Sequence, residues 1–105
     1  MKNIVKNRLF TLLEITGWSL TELSQKSGIA FDTVKSIYYG RIENPRIETL
    51  IAIADAFGIS LDYIVGRLDY AEHELKHLIV LGTLDDDTKE IIELIVKRAI
   101  QKKSH

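Results

Sequence analysis

Two groups of residues in this 105-residue chain have types and spacings that could do chemistry. The first is His73-Glu74-Leu75-Lys76-His77, an H-E-x-x-H pattern. On a helix, that spacing offers two histidines to a zinc ion and sets the glutamate beside them to activate a water for hydrolysis. The second is Asp32, Lys35, Ser36 and Tyr39, a short run of side chains that can all hydrogen-bond.

The elements that would carry each group decide between them. On a helix starting near Tyr70, Leu75, Leu78 and Ile79 centre near about 130°, whereas His73 and His77 fall near about 300° and 340°. The histidines then point away from the packed face, where no cavity can be built around them. The only other histidine is the terminal His105. The better reading is a solvated helix surface with no metal and no cofactor. No nucleophile–base arrangement and no phosphate-cradling glycine loop occurs elsewhere, so an enzyme is not expected.

The second group behaves differently. With Phe31 at 0°, Val34 and Ile37 fall near about 300° and 240°, on one apolar side. Asp32, Lys35, Ser36 and Tyr39 fall between about 40° and 140°, on the other. Such a helix can pack by one edge and enter a DNA major groove by the other. It follows a short helix opened by the capping box Ser19-Leu20-Thr21-Glu22, and the two meet at Ser27-Gly28-Ile29. A tight turn with glycine is what projects one helix steeply from another.

The rest of the chain reads as helical throughout. Alternation is absent, and apolar residues recur three and four apart. A first helix is expected from about Asn3 to Thr16, with Leu9, Leu12 and Leu13 inward and Gly17 as its stop. A fourth follows Pro45, carries Leu50, Ile53, Ala54 and Phe57 as its buried stripe, and ends at Gly58. Ser60 caps a fifth, very short helix that Gly66 closes. The fold class is all-α: a five-helix DNA-binding domain over residues 1–67, then a two-helix tail over 68–105.

Composition sets limits on this reading. There is no cysteine, which excludes disulfides and thiolate chemistry. No stretch is long and apolar enough for a signal core or a bilayer span, so no membrane partner is expected and cytoplasm is the default compartment. The net charge of −1 is not the basic balance of a general nucleic-acid binder. Residues 1–67 hold eight bases against seven acids, and the tail six against eight. DNA binding therefore depends on a few well-placed charges.

From about Asn7 to Val65 the chain resembles the lambda-repressor-like (XRE/Cro-type) helix-turn-helix family. The resemblance is carried by Trp18-Ser19, Glu22-Leu23, Gly28-Ile29, Thr33-Val34, Ile37, Gly40, Asn44-Pro45, Glu48-Thr49-Leu50, Ile53-Ala54 and Phe57-Gly58-Ile59-Ser60-Leu61. It implies double-stranded DNA as partner, with the third helix in the major groove and the second across the backbone. Ala30, Phe31, Asp32, Lys35 and Ser36 become candidate base readers. Lys35 suits guanine O6 and N7, Asp32 suits cytosine N4, and Phe31 or Ala30 suits a thymine methyl. Ser19, Thr21, Tyr39, Arg41, Asn44 and Arg46 become candidate phosphate contacts. Leu20 stands where the family commonly has a phosphate-anchoring glutamine, and Ala30 where it favours a hydroxyl residue or proline.

The tail supplies a second surface. A helix is expected from Tyr70 to Leu81, stopping at Gly82-Thr83, and a last helix capped by Asp85. On the last helix Ile91, Ile92, Ile95, Val96, Ala99 and Ile100 cover an arc of roughly 180°, with Leu94 just outside it. Either the tail folds back to hide this face, or the face meets a partner. A homodimer is the simplest partner, and a protein antagonist is another. The expected function is a DNA-binding transcriptional regulator, a repressor on a palindromic operator. An adaptor or antitoxin acting through the tail stays open beside it.

Overall fold

The computed structural model describes residues 4–83 and 86–103. Among these residues there are seven helices and no strand: α1 (Ile4–Thr16), α2 (Leu20–Ser27), α3 (Phe31–Tyr38), α4 (Ile47–Phe57), α5 (Leu61–Ile64), α6 (Glu72–Thr83) and α7 (Asp86–Lys103). Asn3 and Asp85 lie outside the described residues.

Each early helix buries one stripe. Val5, Leu9 and Leu12 form the i, i+4, i+7 row of α1, and they meet Leu23 of α2, Val34 and Ile37 of α3, and Leu50, Ile53, Ala54 and Phe57 of α4 in one core. Leu13, expected inward, is half-buried at its edge. Trp18 covers the same core by stacking on Phe57, with ring centroids 4.9 Å apart. Helix ends follow the local chemistry. Gly17, Gly28 and Gly58 take left-handed φ near +70° and turn the chain after α1, α2 and α4. The Ser60 hydroxyl accepts from the Tyr63 N–H at 3.2 Å and opens α5.

The segment after α5 is tied to α1. Asp69 accepts from the Arg8 guanidinium at 3.1 Å and from its neighbour Tyr70 N–H at 2.8 Å. The guanidinium lies 4.3 Å from the Tyr63 ring centroid, a cation–π stack over a buried ring. These bonds hold Tyr70 out of the helix, so α6 begins at Glu72 rather than at Tyr70.

Two expectations about α6 are corrected. Gly82 does not stop the helix, which continues through it to Thr83. The glycine serves a close approach instead: a Cβ on Gly82 would lie 2.6 Å from the Cα of Gly58, the glycine that ends α4. Leu78, placed on the packed face, is 36% exposed. The helix docks through Leu75 and Ile79, which join the main core. His73 and His77 are exposed on the other side of α6.

So the tail divides. α6 folds back onto α4. α7 does not bury its stripe: Ile91, Ile95 and Ile100 are each about 60% exposed. The radius of gyration is 15.7 Å, against about 13 Å for a compact chain of this size, and the molecule is 55 Å long.

Candidate nucleic-acid interface

The angle between α2 and α3 is set by a three-residue connection, Gly28-Ile29-Ala30. Gly28, at φ +74°, donates its N–H to Ser24 O at 3.0 Å and closes α2. Two hydroxyls then brace the turn. Ser24 Oγ donates to Ile29 O at 2.6 Å, and Ser27 Oγ accepts from the Ile29 N–H at 3.2 Å. Sequence reading found the glycine here but not the bracing serines, because a bond to a backbone carbonyl beyond the helix end leaves no mark in residue periodicity.

On α3 the two faces separate as the wheel predicts. Val34 and Ile37 are buried at 0% and 1% exposure. Ala30, Phe31, Asp32 and Tyr39 are exposed, and Lys35 and Ser36 are half-buried. Ala30 starts the helix without a side-chain cap. Its carbonyl still accepts from Thr33 and Val34 at 3.0 and 3.1 Å, so the alanine deprives α3 of a capping bond and leaves the helix intact.

The flanking candidates lie around this face. The Ser19 hydroxyl accepts from the Glu22 N–H at 3.1 Å, and Glu22 Oε1 lies 3.5 Å from the same hydroxyl rather than on the Ser19 amide. Half of the expected capping box therefore forms. Thr21 is exposed one residue into α2. Between the start of α2 and the end of α3 runs an open cleft of about 570 Å³, with Ser19 and Leu20 on one rim and Tyr38 and Tyr39 on the other. Phe10 also lines it and meets Tyr38 edge-on, centroids 4.5 Å apart.

Past α3, the Arg41 N–H donates to Ser36 O at 2.8 Å and its guanidinium sits 5.4 Å from the Tyr39 ring. Lys6 of α1, not singled out by sequence reading, also reaches this corner. Its ammonium would lie 3.6 Å from a Cβ on Gly40 and is 5.5 Å from the Phe10 ring. Farther along, Thr33, Asn44, Pro45, Arg46 and Thr49 line a second cleft of about 460 Å³ at the start of α4. Arg46 is the N-cap residue there and makes no side-chain cap, so the positive end of the helix dipole and an exposed guanidinium share one place. The structure thus gathers Asn44 and Arg46 with Thr33 and Thr49, and groups Tyr39 with Arg41 and Lys6.

The model of the Cro/C1-type HTH DNA-binding domain matches residues 8–67, more than half of the chain. The protein belongs to this family. As a Cro/C1-type helix-turn-helix protein it is a DNA-binding protein, and α2 and α3 are its helix-turn-helix pair. Its sequence is also similar to the HTH-type transcriptional regulator SinR of Bacillus licheniformis, 25% identical over 87 residues, which span 83% of this chain and 72% of that one. No solved structure matches the chain closely enough for comparison. Among the described residues, no helix is long and apolar enough to cross a membrane, and no three His, Cys, Asp or Glu residues gather as a metal site.

Proposed function

We propose that the protein is a transcriptional repressor that binds a palindromic operator as a dimer. In this reading α3 lies in the major groove. Ala30, Phe31, Asp32, Lys35 and Ser36 face base edges. Ser19 and Thr21 at the start of α2, Tyr39 and Arg41 after α3, and Asn44 and Arg46 before α4 hold phosphates and fix the register. Residues 1–67 read DNA, and residues 68–105 carry the dimer contact on α7, through Ile91, Ile92, Ile95, Val96, Ala99 and Ile100. Two copies set their α3 helices about 34 Å apart, so they reach successive grooves on one face of the duplex.

The observation that carries the reading is the division of α3, with Val34 and Ile37 fully buried behind and Asp32, Lys35, Ser36 and Tyr39 at least partly exposed in front, and with further cationic side chains, Arg41 and Arg46, at its flank. The name of the Bacillus relative supports regulation as the role. Occupying an operator suffices to block transcription, so repression needs no further surface.

Titration against a mixed-sequence duplex at several salt concentrations tests DNA binding. Each neutralised phosphate contributes about −0.9 to the slope of log K against log salt. The expected slope is several units negative. A flat response would contradict the reading and favour an adaptor or antitoxin acting through the tail.

A further inference from the structure

Past the end of α3, a run of ring and cation contacts reaches back to α1. The Arg41 guanidinium sits 5.4 Å from the Tyr39 ring. Tyr39 meets Tyr38 edge-on with centroids 5.1 Å apart, and Tyr38 meets Phe10 at 4.5 Å. The Lys6 ammonium lies 5.5 Å from the Phe10 ring. Lys6 and Arg41 therefore stand at the two ends of one ladder, and its three rings all line the cleft between α2 and α3. The stem of Lys6 is held from a second side. Gly40, left-handed at φ +73°, carries no side chain, and the Lys6 Cδ would lie 3.4 Å from a Cβ placed there. The alkyl chain crosses the bare glycine and brings its charge to the corner that holds Tyr39 and Arg41.

The end of α3 does not call for this charge. Its last carbonyls already have partners: Lys35 O accepts from the Tyr39 N–H at 3.0 Å, Ser36 O from Arg41 at 2.8 Å and Ile37 O from Gly40 at 3.1 Å. No ion pair between described residues involves Lys6; those pairs join Arg8 to Asp69 and Lys76 to Glu72. The Phe10 ring attracts the ammonium but has no charge to neutralise it.

We propose that Lys6 is a DNA phosphate contact, made from α1, outside the helix-turn-helix pair and beside the contacts of Tyr39 and Arg41. This deepens the DNA reading above and rests on it. The target is the phosphodiester backbone rather than a base edge, because Lys6 lies at Gly40, past the end of α3, and not on the outward face of that helix. An ammonium has three donors, so facing a ring leaves others for a phosphate oxygen. The ladder has a role in this: the rings and the bare glycine restrict where the long side chain points before DNA arrives, so less freedom is lost on binding.

Lys6→Met keeps most of the stem and removes the charge. Titrated against the mixed-sequence duplex, it should bind more weakly, with a salt slope shallower by about 0.9 per bound copy. Raising salt from about 50 to 200 mM should then cost it about 3.5-fold less affinity per copy than it costs the unsubstituted protein. Lys6→Arg should keep the original slope. Lys76→Met controls for net charge, since Lys76 lies on α6 in an ion pair with Glu72 at 3.1 Å, and it should leave the slope unchanged. An unchanged slope for Lys6→Met, with or without a lower melting temperature, would overturn the proposal and leave Lys6 a structural residue. Equal reductions in Lys6→Met and Lys76→Met would also overturn it, because net charge and not contact would then set the slope. A flat response of the unsubstituted protein is a separate failure: it defeats the DNA reading itself, and the Lys6 contact with it.

Discussion

Lys35 and Arg46 carry the same charge in different settings. Lys35 is half-buried on the outward side of α3, where its reach is restricted to what α3 faces. Arg46 is exposed ahead of α4, in a cleft it shares with Asn44, Thr49 and Thr33, and is not one of the residues on the outward face of α3. Lys35→Ala should cost about 1–3 kcal/mol at one base position per half-site and relax preference there. Arg46→Ala should weaken all sequences alike and reduce the salt slope by about 1 per site. Binding of both variants to a panel of single-base operator changes reads the difference, and equal sequence-blind losses would refute the assignment of Lys35. A second residue-scale expectation concerns Tyr63. Burial pushes its phenol up from the usual value near 10, partly opposed by the Arg8 guanidinium that stacks on it. A raised folded-state value means the unfolded chain loses its proton first as pH rises. The stability from neutral Tyr63 is therefore complete below pH 10 and is lost as pH climbs from 10 through the folded-state value. Melting curves from pH 8 to 11 should show this loss in the native protein and less of it in Tyr63→Phe.

At the scale of the element, what could be read from sequence is what depends on near neighbours. The buried stripe of α4, the Ser19 and Ser60 caps, and the two faces of α3 are all set by residues three or four apart. Gly82 shows the limit. A glycine near the end of a helical pattern looks locally the same whether it stops the helix or admits another backbone. Only the fold decides, by bringing Gly58 against it. Arg8 is a similar case, since its partners Tyr63 and Asp69 lie at the far end of the first five helices. The Gly82 contact gives a test of sign. Alanine is favoured over glycine inside a helix by about 1 kcal/mol, but its methyl would meet backbone, which cannot rotate away. Overpacking of this kind costs about 1–3 kcal/mol, so Gly82→Ala should lower the melting temperature. A rise would show that α6 and α4 separate easily.

Over the whole molecule, two surfaces are arranged by one core. The core built from α1 to α6 fixes α3 at one place and sends α7 outward at another, with its apolar residues uncovered. A net charge of −1 gives the molecule as a whole no attraction to nucleic acid, so affinity depends on where its cationic side chains sit. Binding must come from a few placed contacts, doubled by symmetry if two copies act together. The most direct test of that claim is to select tight binders from a random double-stranded DNA pool at moderate salt and sequence what the purified protein retains. An enriched inverted repeat, with half-site centres about one helical turn or a whole multiple apart, is the expected result. Recovery of no enriched sequence by a folded protein would contradict the account and turn attention to proteins that bind α7.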